Sequence, residues 1–85
     1  MKSKIRAIIG KHGRLAVDIN TIAENEDLYK AGMTSLATVG VMLALENEFD
    51  VEFPDRMLRR QIFESVASMH RALEELLKKK ESGAP

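Results

Sequence analysis

The 85-residue sequence contains no cysteine, only two prolines and only four aromatic residues in total. The absence of cysteine excludes a disulfide framework, a thiolate zinc site and a cysteine nucleophile. No apolar run approaches the roughly 20 residues of a membrane-spanning helix, so we expect no membrane segment. The N-terminal stretch is basic but lacks a long apolar middle and a small-residue cleavage site, unlike a signal peptide. Together these absences are compatible with a cytoplasmic protein.

The balance of apolar and charged residues is that of a folded protein. Hydrophobic residues make up 45% of the chain, and 13 basic residues offset 13 acidic ones. This composition is too apolar for a disordered chain, and the length allows one small domain with one core. We predict a single domain over residues 1–80 and a disordered tail over 81–85. We also expect a monomer, because the apolar surface predicted below is small.

The charges are unevenly distributed along the sequence. Residues 1–17 carry only basic charges, whereas residues 18–55 carry nine acidic residues and a single lysine. The basic start has no interleaved aromatic residues, and the acidic centre would repel a phosphate backbone, so we expect no nucleic-acid partner. A dipolar chain of this kind could instead steer a charged protein partner.

The spacing of apolar residues predicts an all-α fold with three main helices and one short helix. Ile5, Ile8 and Ile9 recur at the helical interval, and Gly13 is a suitable stop. A long loop over residues 14–33 is unusual in a compact domain and points to a functional role. We therefore predict a small antiparallel four-helix bundle. Its elements are a first helix over Lys2–Lys11, a helical turn around Glu26–Lys30, a second helix from Thr34 or Ser35 to Phe49, a short third element over Pro54–Arg60 and a last helix over Ser65–Lys79.

The second predicted helix has two apolar faces. On a helical wheel, Val41 and Leu45 fall on one side together with Met42 and Phe49, which we expect to face the core. A helix in so small a domain cannot easily bury both faces within its own chain. The opposite face is then a candidate docking surface for a partner protein, and it consists of Leu36, Val39 and Leu43.

The familiar catalytic and metal-binding patterns are missing. His12 and His70 are far apart in sequence, and no paired-histidine motif exists, so we predict no metal site. Ser35 lacks the surroundings of a hydrolase nucleophile, and no glycine-rich phosphate loop is present. We therefore predict no catalytic residue.

Ser35 is the one residue in an unusual setting. It follows a loop that contains Gly32 and opens a predicted helix, where the positive end of the helix dipole favours a phosphate. From the residues alone, however, Thr-Ser before a helix usually means only an ordinary helix cap.

A longer pattern around Ser35 resembles the acyl carrier protein family. It consists of an acidic-Leu pair, a glycine, a Ser-Leu pair at a helix start, a Leu-Glu-x-x-Phe ending and a Phe-Pro-Asp segment, within about residues 24 to 77. The resemblance implies a four-helix carrier protein that is not an enzyme. It also implies that Ser35 carries 4'-phosphopantetheine, on which an acyl or aminoacyl cargo is held as a thioester.

The resemblance further implies two kinds of partner. A phosphopantetheinyl transferase would modify Ser35, and a cargo-loading ligase and downstream acyl-transferring enzymes would dock on the second helix. The residues that we assign to docking are Thr34, Leu36, Val39, Leu43, Glu46 and Met57. Met42 and Met57 could also line an adaptable cargo cavity.

The sequence departs from the family pattern in its charges. Thr34 stands where the family has an Asp before the serine, and arginines follow the second helix where relatives often carry acidic residues, at Arg56, Arg59 and Arg60. Partners that recognise a negative helix should therefore bind this surface weakly. The Thr-Ser-Leu variant resembles a stand-alone subgroup that accepts amino acids, and a fatty acyl or polyketide cargo stays open.

Two other functions remain open at this stage. The chain could be an unmodified helical adaptor that uses the Leu36, Val39 and Leu43 face, with Ser35 as a cap only. A small serine hydrolase is a third alternative, which turnover of ester substrates would reveal.

Overall fold

The computed structural model describes residues 1–81, in which the chain forms helices and turns and no strand. This architecture confirms the predicted all-α bundle with a short third helix. The helices are α1 (Lys2–His12), α2 (Ser35–Phe49), α3 (Arg60–Phe63) and α4 (Val66–Glu81), with 3-10 turns at Ile19–Thr21 and Asp55–Met57.

The core lies between α1, α2 and α4, and α3 packs against α4. Each main helix turns a stripe of fully buried aliphatic side chains inward, and this burial is the main source of stability. As predicted for α2, Val41 and Leu45 are buried and the opposite face is not. Met42 and Phe49, by contrast, are only partly buried against the core. The buried side chains of the three main helices are Ile5 and Ile9 of α1, Ala37, Val41 and Leu45 of α2, and Val66, Met69, Ala72 and Leu73 of α4.

The long loop after α1 is fixed to the bundle by backbone hydrogen bonds. The N–H of Leu28 donates to the carbonyl of Glu64 at 2.7 Å, and the N–H of Ala67 donates to the carbonyl of Glu24 at 2.9 Å. The Arg6 guanidinium, from α1, donates to the carbonyl of Ile22 at 2.8 Å. A chain that satisfies its polar groups in this way holds one shape without a helix of its own.

Two boundaries differ from the prediction, whereas the segment around Glu26–Lys30 forms a single helical turn, as predicted. There the N–H of Ala31 donates to the carbonyl of Asp27 at 3.3 Å, and the Asp27 carboxylate accepts from the N–H of Tyr29 at 2.9 Å. The third element divides into the 3-10 turn Asp55–Met57 and α3, which continues to Phe63. Glu81 ends α4 instead of belonging to a tail, and the rest of the predicted tail lies outside the described residues.

Candidate functional site

The start of α2 is positioned by a reversal of the chain at Gly32. This residue has a φ of 111°, a conformation that residues with a Cβ rarely adopt. A Cβ at Gly32 would also lie 3.0 Å from the backbone nitrogen of Ala16, so the two loop segments approach too closely for a side chain. The next residue, Met33, is buried in the core and anchors the chain directly before the helix.

Thr34 is the N-cap of α2. Its backbone is extended, and its hydroxyl oxygen accepts a hydrogen bond from the N–H of Ala37 at 3.1 Å. This is the usual side-chain cap for an N–H group that has no partner within the helix. The threonine thus caps the helix through an uncharged hydroxyl.

Ser35 is the first residue of α2 and is exposed to solvent. Within residues 1–81, its hydroxyl makes no hydrogen bond, because Thr34 supplies the cap. The alternative in which Ser35 serves only as a helix cap is therefore wrong. An exposed hydroxyl without a structural partner is available for chemical modification.

The field at the start of α2 fits a phosphate group. The helix is 15 residues long, and its first turn carries no acidic residue that would repel an anion. The first N–H groups of a helix point outward and form its positive end, where a phosphate is stabilised. A phosphodiester on Ser35 would thus lie in a favourable field, as the sequence predicts.

A groove opens beside Ser35, between α2 and the segment that leads into α3. Its volume is about 350 Å³, which is within the range of small-molecule sites. Met42 lies among the side chains that line this groove. The lining residues are Tyr29, Ser35, Thr38, Val39, Met42, Leu58, Arg59, Arg60 and Phe63.

Tyr29 joins the loop to both walls of the groove. The guanidinium carbon of Arg60 lies 4.3 Å from the centre of the Tyr29 ring, a cation–π contact. The hydroxyl of Thr38, on α2, lies 3.3 Å from the Tyr29 hydroxyl. One side chain therefore contacts both α2 and α3, and it helps to set the width of the groove.

The predicted docking face of α2 lies on the surface. Leu36 is 84% exposed, Val39 48% and Leu43 55%. Leu58, which sequence reasoning missed, is also 48% exposed and lies across the groove from Val39. From the sequence we assign the neighbouring Met57 to docking instead, and only the packing of the segment shows that Leu58 is the one that faces solvent.

Two residues of the predicted docking set have other surroundings. Met57 is only 3% exposed and packs in the core, so the assignment of Met57 to docking is corrected. Met57 also does not line the groove beside Ser35. The Glu46 carboxylate accepts a hydrogen bond from the N–H of Phe53 at 2.8 Å and thereby holds the chain after α2.

The part of the chain that the structure describes contains neither a candidate metal site nor a membrane-spanning helix. Within residues 1–81, no group of three or more histidine, aspartate or glutamate side chains is placed to hold a metal ion. His70 lies instead beside Glu74, one helical turn along α4, with Nδ1 3.4 Å from a carboxylate oxygen. None of the helices in this part of the chain is both long and apolar enough to cross a membrane.

Comparison with known proteins places these features in a family. The family described as "Phosphopantetheine attachment site" matches residues 3–73 of the chain. An aminoacyl carrier protein of Agrobacterium fabrum is 42% identical over 82 residues, which cover 96% of this chain and 99% of the relative.

Solved structures of carrier proteins are also similar. One is the crystal structure of an engineered Bradyrhizobium japonicum glycine:[carrier protein] ligase complexed with the carrier protein from Agrobacterium tumefaciens and ATP. A chain of this complex matches with a TM-score of 0.84 and 40% identity, over 87% of this chain and 96% of the matched chain. Another is the Bradyrhizobium japonicum ligase complexed with a glycylated carrier protein, with a TM-score of 0.72 and 27% identity over 84% and 95% of the two chains.

Proposed function

The chain belongs to the family of carrier proteins that have a phosphopantetheine attachment site, and we propose that Ser35 is the residue to which the group is attached. The protein is a carrier and not an enzyme: it holds a cargo on phosphopantetheine and presents it to partner enzymes. The group, when bound, supplies the thiol on which a cargo is held as a thioester, and this explains how a chain without cysteine can carry one.

The observation that carries the proposal is that Thr34, and not Ser35, caps α2. Thr34 caps α2, whereas the neighbouring Ser35 hydroxyl is exposed and makes no hydrogen bond within residues 1–81. The start of α2 supplies the positive field for the phosphate. Gly32 supports the same assignment, since the turn there presents Ser35 at the surface.

Attachment requires a phosphopantetheinyl transferase and coenzyme A as the donor. The Ser35 oxygen forms a bond to the phosphorus of the phosphopantetheine half of coenzyme A, and the pyrophosphate bond breaks. The adenosine bisphosphate half leaves, and the serine proton is released. The chain contributes the oxygen and the field of α2, and the transferase supplies the catalysis.

We propose an amino acid as the cargo and a ligase as the enzyme that loads it. The 42% identical relative is an aminoacyl carrier protein, and two similar carriers were solved with a glycine:[carrier protein] ligase. Glycine is therefore the first amino acid to test. Coenzyme A and the ATP used by such a ligase are the basis for proposing that the protein works in the cytoplasm.

The exposed apolar residues beside Ser35 are proposed as the docking surface for these partners. Leu36, Val39 and Leu43 project from α2, and Thr34 lies next to the modified residue. Exposed aliphatic side chains that lie together on one face of a small protein are typical of an interaction surface. Glu46 can take part only through the carboxylate oxygen that does not hold Phe53.

Intact-mass measurement tests the attachment site. The purified chain is incubated with coenzyme A and a promiscuous phosphopantetheinyl transferase, and Ser35→Ala is treated in parallel. We expect the wild type to gain one phosphopantetheine and Ser35→Ala to gain none, with Ser3→Ala as the matched control that is modified like the wild type. An equal gain in Ser35→Ala would contradict the proposal.

A further inference from the structure

The surface around Ser35 is apolar on one side of the groove and basic on the other. Leu36, Val39 and Leu43 lie on α2, and Leu58 lies on the opposite wall. These four residues are among the most exposed large hydrophobic side chains of residues 1–81. Val39 and Leu58 line the same groove, so the two walls form one continuous surface. We call this surface the docking face.

The α2 side of the docking face has no charge available for recognition. The first 11 residues of α2, from Ser35 to Leu45, include no acidic or basic residue. The two acidic residues that follow are engaged elsewhere. Glu46 accepts from the N–H of Phe53 at 2.8 Å, and Glu48 pairs with Lys4 of α1 at 3.4 Å.

The opposite wall carries two arginines. Arg59 and Arg60 are exposed and line the groove that starts at Ser35. Within residues 1–81, neither of them forms an ion pair, whereas nearby Arg56 pairs with Glu75 at 3.2 Å. Arg60 stacks on Tyr29, which holds its guanidinium at the wall without neutralising it. The docking face therefore has a local positive charge, although the net charge of the whole chain is zero.

We infer that the cargo-loading ligase meets this face with carboxylates placed opposite Arg59 and Arg60, beside an apolar depression that receives the α2 leucines. This inference rests on the proposed carrier function and adds the charge of the partner. Arginine presents a planar fork that binds carboxylates through two hydrogen bonds, and an arginine without an internal partner is available for such a contact. A ligase with a basic surface at this place would be repelled.

The ligase is favoured over the cofactor phosphate as the target of these arginines. Both side chains are exposed at the rim, next to apolar residues that need a protein surface to cover them. Rim charges of this kind steer association and make it depend on salt. If the arginines held the phosphate instead, they would influence binding only when Ser35 is modified.

Binding to the engineered Bradyrhizobium japonicum ligase tests the inference. Affinity is measured at low salt and at about 0.5 M salt, where charges are screened within a few ångströms. The chains compared are the wild type, Arg59→Glu/Arg60→Glu, the charge-preserving Arg59→Lys/Arg60→Lys, and a control with the same charge change elsewhere, Lys11→Glu/Arg71→Glu. Each is measured with and without phosphopantetheine, and circular dichroism checks that each is folded.

We expect the double reversal to weaken binding at low salt by about 10-fold or more, equally in the modified and unmodified proteins. The control should stay within about 3-fold of the wild type, and the loss should shrink at high salt. The lysine variant should lose less than the double reversal, because it keeps the charge but not the two-hydrogen-bond fork of arginine. A double reversal that binds as well as the control would overturn the inference. So would a wild type that does not bind at low salt, or a loss confined to the modified protein, which would assign the arginines to the phosphate.

Failure of this inference is distinguishable from failure of the proposed function. Intact mass reports whether Ser35 accepts phosphopantetheine, whatever the arginines do. A wild type that is modified but insensitive to charge reversal contradicts only the charge of the partner. A wild type that is not modified contradicts the attachment site, and the binding of the unmodified chain still tests the arginines.

Discussion

The two ends of α2 are finished in different ways. At its start, one hydroxyl, that of Thr34, caps the helix, and the adjacent Ser35 makes no hydrogen bond within residues 1–81. At its end, the Glu46 carboxylate holds the N–H of Phe53 at 2.8 Å. The Lys80 ammonium there contacts both the backbone carbonyl and the carboxylate of Asp50, at 2.9 and 2.7 Å.

This contrast separates the structural role of α2 from its functional role. The C-terminal end at Glu46–Asp50, which we call the closed end, ties the helix to the following loop and to α4, so the helix keeps its place in the bundle. The N-terminal end at Thr34 and Ser35, which we call the open end, needs only one cap and leaves a hydroxyl and a positive field for a modifying group. A carrier has to be rigid enough to be recognised and open where its cargo is attached, and α2 provides these at opposite ends.

The largest effect is expected at Gly32, which shapes the approach to the open end. Gly32→Ala should lower the free energy of unfolding by about 3 kcal/mol, because the residue has a φ of 111° and a Cβ would lie 3.0 Å from the Ala16 nitrogen. Chemical denaturation measures the change. Gly40→Ala is the matched control: it lies within α2 with 3.9 Å to the nearest atom, and it should be neutral or slightly stabilising. Equal losses at both glycines would contradict this account of the turn.

A smaller effect is expected at the closed end. Glu46→Ala removes the acceptor for the N–H of Phe53 and should cost about 1.5 kcal/mol of unfolding free energy. Glu46→Gln keeps an acceptor oxygen and should lose less. Glu48→Ala, which breaks only the exposed pair with Lys4, should change the stability by less than about 0.5 kcal/mol. If Glu46→Ala behaved like Glu48→Ala, the closed end would not depend on this bond.

The smallest effect is the dependence of the closed end on acid. The hydrogen bond and charge of Lys80 hold the pKa of the Asp50 carboxyl below its ordinary value of 3.8. Because the folded pKa is the lower one, the contribution of this pair is complete above pH 3.8 and is lost as the pH falls through the folded pKa. Lys80→Met should remove this part of the acid dependence, whereas Lys78→Met should not. Thermal unfolding at a series of pH values measures both, and an unchanged acid profile in Lys80→Met would contradict the assignment.

Local patterns in the sequence were sufficient to predict the three main helices and the two faces of α2. The bounds of α1 and α2 follow from apolar spacing and from the stops at Gly13 and Asp50. The exposure of Leu36 follows from the same periodicity, because only one face of a helix can reach a small core. The setting of Ser35 could be predicted because the residues that create it are its neighbours in sequence.

Contacts between distant residues could not be predicted in this way. Whether Met57 or Leu58 is buried depends on how the 3-10 turn packs against the core, which sequence spacing does not determine. The contact between Arg60 and Tyr29 joins residues 31 positions apart. The role of Glu46 depends on a loop that returns to its carboxylate, a bond that helical periodicity does not encode.

The most direct test compares the loss of the Thr34 hydroxyl with the loss of the Ser35 hydroxyl. Unfolding free energy and phosphopantetheine gain are measured together for Thr34→Ala and Ser35→Ala. Thr34→Ala should lose about 1 kcal/mol of stability and still accept the group when the reaction is complete. Ser35→Ala should keep its stability within about 0.5 kcal/mol and accept none. A Ser35→Ala protein that is destabilised like Thr34→Ala and still gains phosphopantetheine would contradict the assignment of the open end of α2 as the attachment site.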